Sequence, residues 1–129
     1  MATVFAVDDD PAMLSIYREM LVMLNHHVVA EAKDGEEAVR LYKGLKSHPD
    51  IMLMDYRMPH RDGISAMQEI KCINPKQCII IVTSDPRAAK KAKNLGANTY
   101  VLKPFRLDRL SKTIQSVLLE SEKVKMHMS

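Results

Sequence analysis

The stretch "TVFAVDDDPAML", residues 3–14, carries a short apolar segment directly into three consecutive carboxylates and then a proline. Like charges of this kind repel each other by roughly 4 kcal/mol at ~4 Å and an effective dielectric constant of ~20. Asp10 has a simple structural use, because it can cap a helix whose first residue is Pro11. Asp8 and Asp9 are not explained in this way, so a compensating function is expected for them.

The composition is that of one globular domain. The chain has 129 residues, of which 47% are hydrophobic and 27% charged, with a net charge of +3. This length is sufficient to bury a core without disulfides or structural metals. The longest apolar runs are too short to cross a membrane, and no basic segment precedes the apolar start. We therefore expect no transmembrane helix and no secretory signal, and a cytoplasmic protein.

The cysteines and histidines give no metal-binding pattern. Cys72 and Cys78 lack CxxC spacing and a secretory context, so we expect two reduced thiols. The histidines are scattered without ligand spacing and are expected to be exposed surface residues. They are His26, His27, His48, His60 and His127.

Short apolar or β-branched runs alternate with helical patterns along the chain. The runs, predicted to be strands, lie at 3–7, 28–30, 51–54, 79–82 and 100–102. Apolar residues at helical spacing follow each run, within 14–24, 38–45, 64–70, 88–95 and 107–118. The third and fourth runs, "IMLM" and "IIIV", are predicted to be buried on both faces. Five strand-helix units predict an α/β fold with a parallel sheet between two helical layers.

Polar side chains follow four of these predicted strands. Asp8 to Asp10 come after the first, Asp55 after the third, Thr83 and Ser84 after the fourth, and Lys103 after the fifth. Because the carboxyl ends of parallel strands meet at one edge of a sheet, these groups are expected to converge there. A helix cap is the commoner explanation for a single aspartate or threonine at such a point, but capping does not explain Lys103.

Phosphoryl transfer to a carboxylate requires this set of groups. Clustered acids are stabilised by a divalent cation, and oxygen ligands with room for water and phosphate oxygens suit Mg²⁺. An ionised carboxylate can act as a nucleophile and form an acyl phosphate. A metal ion, a lysine and a hydroxyl then share the charge on the transferring phosphoryl oxygens.

Four segments carry a resemblance to a known family: "VDDDP", "IMLMDYRMPHRDG", "IIIVTS" and "GANTYVLKPF". In order and spacing they resemble the receiver domain of two-component response regulators, of the chemotaxis-type single-domain kind. The resemblance implies a flavodoxin-like (βα)5 fold, with a doubly wound five-stranded sheet in the order 2-1-3-4-5. We expect a receiver domain over residues 1–121 and a helix end or tail over 122–129.

The resemblance also assigns the phosphorylation site. Asp55 would be the phosphoacceptor, forming an aspartyl phosphate, with Asp8 and Asp9 in the acidic pocket beside it. Mg²⁺ would be held by Asp9, Asp55 and the backbone carbonyl of Arg57. Lys103 would contact the phosphoryl group and precede a cis proline.

Further positions match the switch and the loops of the family. Thr83 would swing toward the phosphate, and Tyr100 would turn inward to fill the space it leaves. Met58, Pro59 and Gly63 fit the loop after the phosphorylated aspartate. Arg57 and Asp85 stand at the two positions that flank the path of the water attacking the phosphoryl group. Their opposite charges predict an ion pair that restricts this water and lengthens the lifetime of the phosphate.

Two departures from the family pattern concern the fourth predicted helix. The segment from Thr83 to Lys103 is a couple of residues shorter than in most receivers, with the deficit in or near the loop before this helix. The helix is also basic and has no acid, with Arg87, Lys90, Lys91 and Lys93. We therefore expect a monomer, not a dimer formed through the fourth helix, the fifth strand and the fifth helix.

The basic residues continue at Arg106, Arg109 and Lys112. One interpretation is a solvated surface on a mildly basic protein, and the other is a docking surface for an acidic downstream protein. Direct binding of nucleic acid ranks third, because no helix-turn-helix or aromatic platform accompanies the charge. The resemblance implies phosphorylation by a partner histidine kinase or phosphotransfer protein. It also implies signalling through the face formed by the fourth helix, the fifth strand and the fifth helix.

Two alternatives belong to other functional classes. "DDD" could supply the DxD pair of a Mg²⁺-dependent phosphohydrolase of the haloacid dehalogenase type, but that family places its nucleophile after the first strand and usually adds a cap domain. A degenerate receiver that acts only as a binding scaffold is disfavoured, because no site position is lost. We therefore expect a signalling phosphoacceptor that catalyses only its own phosphorylation and dephosphorylation, and not a metabolic enzyme.

Overall fold

Strands and helices alternate in the computed structural model, which describes residues 1–128 except for the side chains of residues 125, 127 and 128. The strands are β1 (Thr3–Val7), β2 (His27–Ala32), β3 (Ile51–Asp55), β4 (Cys78–Thr83) and β5 (Thr99–Leu102). The helices are α1 (Pro11–Met23), α2 (Gly35–Gly44), α3 (Gly63–Ile73), α4 (Pro86–Asn94) and α5 (Leu107–Met128). Each predicted strand lies within an observed one, so the predicted alternation is confirmed.

The five strands form one parallel sheet in the order β2-β1-β3-β4-β5, which confirms the predicted topology. The winding reverses between β1 and β3, where an open α/β sheet leaves a crevice at its carboxyl edge. In the register of these two strands Val7 pairs with Met54. Asp8 and Asp55 therefore emerge side by side at this crevice.

Two layers of helices cover the sheet. The α2, α3 and α4 helices pack on one face, around Tyr42, Met67 and the small Ala92, while α1 and α5 pack on the other. Every residue of β3 and β4 is buried, as predicted for these two runs. Full burial of each large apolar side chain contributes about 1.5–3 kcal/mol, so the packing of β3 and β4 stabilises the frame that holds the site.

Aspartates begin four of the helices. The side chain of Asp10 accepts a hydrogen bond from the Ala12 amide (2.9 Å), so the predicted cap on α1 is confirmed. Asp34, Asp62 and Asp85 cap α2, α3 and α4 in the same way. A carboxylate at this position satisfies an amide without an intrahelical partner and is favoured by the helix dipole.

The last helix has 22 residues and continues to Met128. Residues 122–128, expected to be a helix end or a tail, are therefore helical, and the boundary of the receiver domain at residue 121 stays a prediction. Across the described part of the chain, the helices are too short or too polar to cross a bilayer. Both Cys72, which is exposed, and Cys78, which is buried, are free thiols, as predicted.

The predicted exposure of the histidines is confirmed for three of them and wrong for one. His27, His48 and His60 are exposed, and the side chain of His127 lies outside the described residues. His26 is half-buried because its Nδ1 accepts a hydrogen bond from the amide of Ala2 (3.0 Å), which comes from the start of the chain.

Candidate functional site

The crevice between β1 and β3 brings three carboxylates together. Asp8 and Asp9 follow β1, and Asp55 is the last residue of β3. One oxygen from each lies within 4.8 Å of the others. Asp8 is fully buried and Asp55 is 7% exposed, whereas Asp9 is exposed to solvent. The repulsion anticipated from the sequence is therefore present, and two of the three charges are shielded from water.

Lys103 reaches this cluster from the end of β5. Its Nζ donates a hydrogen bond to Asp8 Oδ2 (2.8 Å) and a longer one to Asp55 Oδ1 (3.4 Å). The backbone amide of Lys103 donates to the Thr83 carbonyl (2.9 Å), which ties this residue to β4. The Lys103–Pro104 peptide bond is cis, as the family resemblance implied.

Backbone amides hold the two buried carboxylates in place. Asp8 Oδ1 accepts from the Asp10 amide and Asp55 Oδ1 from the Tyr56 amide, each at 3.0 Å. The loop after Asp55 folds back so that the Gly63 amide donates to the Tyr56 carbonyl (2.8 Å). A Cβ at Gly63 would collide with the Asp55 carbonyl oxygen, so only glycine fits this close approach.

The site carries more negative than positive charge. Burial, followed by the charge of Asp8, raises the pKa of Asp55 to about 6, while Lys103 acts in the opposite direction. Burial alone would lower the pKa of Lys103, but its contacts with Asp8 and Asp55 outweigh this and raise it. Three carboxylates face one ammonium group, so a divalent cation with a preference for oxygen ligands fits this donor set, as Mg²⁺ does.

The two predicted switch residues lie on neighbouring strands. Thr83, the last residue of β4, is 3% exposed, and its Oγ1 accepts a hydrogen bond from the Asp85 amide (3.1 Å). Tyr100 in β5 is half-buried against the core cluster beneath α2, α3 and α4. The switch roles of both residues stay predictions. Thr83 lies at the carboxyl end of β4, whereas Tyr100 pairs with Ile81, two residues before Thr83.

The predicted ion pair between Arg57 and Asp85 is present. Arg57 Nη2 lies 3.3 Å from Asp85 Oδ2, and the arginine side chain is 78% exposed. The other oxygen of Asp85 accepts from the Arg87 amide (2.9 Å) at the start of α4. Hydrogen bonds from the amides of Ala88 and Arg87, and then Arg57, lower the pKa of Asp85. Asp85 is thus both a helix cap and an ion-pair partner, and only the second role was predicted.

Sequence reasoning missed Tyr17. Within residues 1–128, its hydroxyl is the buried side-chain polar atom that lacks a hydrogen-bond partner. Burial, followed by the charges of Asp8 and Asp55, raises the pKa of this phenol. The sequence placed Tyr17 in the apolar stripe of α1, and periodicity carries no information on where its hydroxyl points.

The fold and the acidic crevice are those of a signalling module of two-component systems. A family model described as the response regulator receiver domain matches residues 4–115, and the chain belongs to this family. It is 36% identical over 120 residues to protein CcdB of Bacillus subtilis, with 92% of this chain and 98% of the relative covered. It is also 36% identical over 117 residues to the chemotaxis protein CheY of Bacillus subtilis, with 89% of this chain and 96% of the relative covered.

A solved structure supports the same conclusion. The structure of a CheX-CheY-BeF3-Mg complex from Borrelia burgdorferi aligns with a TM-score of 0.85 at 26% identity, covering 90% of this chain and 88% of that one. The predicted resemblance to chemotaxis-type receivers is therefore confirmed. Membership of this family leaves the phosphohydrolase alternative without support.

Proposed function

We propose that this receiver accepts a phosphoryl group on Asp55 from a partner histidine kinase or phosphotransfer protein in a Mg²⁺-dependent reaction. The observation that carries the proposal is the cluster itself. The carboxylates of Asp8, Asp9 and Asp55 lie within 4.8 Å, and Lys103 Nζ donates to two of them. A structural ion pair needs one carboxylate for one lysine, and the two further acids indicate a site for a divalent ion.

The residues of the site divide the chemistry among them. An oxygen of Asp55 attacks the phosphorus of the donor phosphohistidine, and the new O–P bond forms as the N–P bond breaks. The bonding electrons stay on the imidazole nitrogen, which takes up a proton. Mg²⁺, when held by Asp8 and Asp9, Asp55 and the backbone carbonyl of Arg57, supplies positive charge to the phosphoryl oxygens.

Lys103 and Thr83 complete this stabilisation. The Lys103 ammonium group already lies at Asp55 and can donate to a phosphoryl oxygen without moving far. Among the described residues, the Thr83 hydroxyl has one hydrogen bond, from the Asp85 amide, so it can turn toward the phosphate, with Tyr100 turning inward behind it. The chain thus catalyses its own phosphorylation and dephosphorylation and passes the signal on by this movement.

We place the output surface on α4, β5 and α5. A shallow groove of about 560 Å³ lies there, lined by residues that include Leu102, Phe105, Arg106 and Arg109. Exposed basic side chains lie on α4, on α5 and just before α5, namely Arg87, Lys90, Lys91, Arg106, Arg109 and Lys112. An acidic downstream protein fits this surface better than a second copy of the chain, because two like-charged faces repel each other. We expect a monomer that acts in the cytoplasm.

The phosphoacceptor is tested with a small phosphodonor, acetyl phosphate, and Mg²⁺. Intact-mass measurement is expected to show one added phosphoryl group on the parent chain and none on Asp55→Asn. Asp108→Asn, which removes an exposed carboxylate on α5, serves as the control and is expected to label like the parent. Undiminished labelling of Asp55→Asn rules out the assignment.

A further inference from the structure

A second groove lies at the opposite edge of the sheet from Asp55. It has a volume of about 740 Å³ and is open beneath the amino ends of β4 and β5, where Cys78 and Thr99 line it. The α3–β4 connection, α4 and the second half of α5 form its walls. Small-molecule sites span about 300–1,000 Å³, so this groove has the size to hold an organic ligand.

Among the residues that the structure describes, three lysines and one glutamate line this groove. Lys71, Lys76 and Lys93 contribute ammonium groups, and Glu120 contributes the carboxylate. In the described part of the chain none of the three lysines forms an ion pair with a carboxylate. Among the described residues that line it, the groove therefore carries an excess of two positive charges, and none of its three lysines is paired with a described carboxylate.

Lys71 is the best-placed of these cations. It is half-buried, and burial lowers its pKa. Its Nζ donates to Asn98 Oδ1 (3.1 Å), and the same oxygen accepts from the Ile79 amide of β4 (2.9 Å). A partly buried ammonium group without a counter-charge is unfavourable, and here it is fixed to the sheet through Asn98. A bound anion would supply the missing charge at a preorganised position.

The other wall belongs to a part of the chain beyond the family match. Ser116, Val117, Ser121 and Val124 of α5 line the groove, and all follow residue 115, where the match to the receiver family ends. Ser116 and Ser121 offer hydroxyl donors, and the two valines offer apolar surface. The groove thus combines a cationic side with a partly apolar one.

We propose that this groove binds a small organic molecule that carries two or more phosphate groups. Ammonium groups act as point charges suited to phosphate oxygens, and three of them line one cavity here. The apolar surface of Val117 and Val124 takes the organic part. The site is independent of the phosphoryl acceptor, since it lies at the other edge of the sheet.

Calorimetric titration of the full chain without Mg²⁺, with ATP and pyrophosphate as probes, tests this. ATP is expected to bind with one-to-one stoichiometry and pyrophosphate more weakly, because pyrophosphate lacks an organic part. Lys71→Ala removes a charge-assisted hydrogen bond and is expected to weaken ATP binding by roughly tenfold or more. Lys90→Ala removes the same charge from an exposed position on α4 outside the groove, and is expected to bind like the parent.

A second variant guards against damage to the fold by the first. Ser121→Glu adds a negative charge at a half-buried position in the groove and is expected to abolish binding, whereas Asp55→Asn is expected to keep it. Amide shifts in the parent are expected at Asn98 and Ser121. The proposal is overturned if neither probe binds at millimolar concentration. It is also overturned if Lys71→Ala binds like the parent, or if Lys90→Ala weakens binding equally.

Discussion

Arg57 and Asp85 join the loop after β3 to the short connection before α4, with 3.3 Å between Arg57 Nη2 and Asp85 Oδ2. Each residue stands two positions after a site residue, Asp55 in the first case and Thr83 in the second. Since β3 and β4 are neighbours in the sheet, the ion pair lies next to the carboxylate that we propose as the phosphoacceptor. It is exposed, so its strength is about 0.2–1 kcal/mol.

Removal of this pair is expected to shorten the lifetime of the phosphate. We propose that the pair restricts the in-line approach of water, so we expect Arg57→Ala to lose the phosphoryl group about two- to fivefold faster than the parent. Arginine is the residue to change, because Asp85 also caps α4. Single-turnover dephosphorylation at matched Mg²⁺ measures the effect, with Arg40→Ala, an exposed arginine on α2, as the control. A dephosphorylation rate in Arg57→Ala equal to or slower than that of the parent would contradict the proposed role of the ion pair.

Asp9→Ala is expected to lose affinity for Mg²⁺ while the metal-free protein becomes equally or more stable. The substitution removes one charge from a like-charged cluster and with it one oxygen ligand. Thermal melts with and without Mg²⁺ test both effects. Asp10→Ser serves as the control, because it removes the neighbouring charge but keeps a side chain that can cap α1. Mg²⁺ is expected to raise the melting temperature of this variant as much as that of the parent. A gain from Mg²⁺ in Asp9→Ala equal to that of the parent refutes the role of Asp9.

Tyr17→Phe is expected to raise the free energy of unfolding by about 1 kcal/mol, because the buried hydroxyl has no hydrogen-bond partner among the described residues. Tyr42→Phe is the matched control, since the Tyr42 hydroxyl donates to Gln77 Oε1 (2.7 Å) in the core. That variant is expected to lose about 1–3 kcal/mol, because the acceptor stays buried. Chemical denaturation measures both. A decrease in the free energy of unfolding of Tyr17→Phe as large as that of Tyr42→Phe would show that the Tyr17 hydroxyl has a hydrogen-bond partner.

His26 is expected to make the protein less stable in mild acid. Burial, followed by the charge of the amino terminus, lowers the pKa of His26, and its Nδ1 accepts the Ala2 amide only when it is unprotonated. The unfolded chain, with a pKa of about 6.5, binds this proton more tightly. The contribution of neutral His26 to the free energy of unfolding is therefore complete above the pKa of the unfolded chain. It is lost as the pH falls through the lower pKa that His26 has in the folded protein.

Denaturation across pH 5 to 8 checks this dependence. His26→Gln is expected to lose less stability on acidification than the parent, whereas His27→Gln, at an exposed neighbouring position, is expected to follow the parent. Identical pH profiles for the parent and His26→Gln would contradict the assignment.

The fold could be predicted closely because its signals are local. The runs "IMLM" and "IIIV" have no polar residue to allow exposure on either face, and both lie in fully buried strands. The positions of Asp8, Asp55, Thr83 and Lys103 followed from one rule, that parallel strands end at the same edge. That rule places groups on an edge but does not set distances between side chains.

What could not be predicted depends on contacts between distant segments. His26 is half-buried because Ala2 lies beside it, and a lone histidine gives no signal of this. The groove at the far edge needs Lys71, Lys93 and the later turns of α5 to meet, although they belong to three separate helices. The cap formed by Asp85 could have been predicted, because Pro86 follows it at the first position of α4.

The connection between β4 and α4 consists of Ser84 and Asp85 alone. Thr83 Oγ1 accepts the Asp85 amide, and the Asp85 carboxylate holds both the first turn of α4 and Arg57. Two residues span at most about 7 Å, so this connection is too short to extend when either β4 or α4 is displaced. We therefore expect that a rotation of Thr83 toward Asp55 would release the amide of Asp85, the cap of α4, and would pass the movement of one hydroxyl group directly to the orientation of this helix.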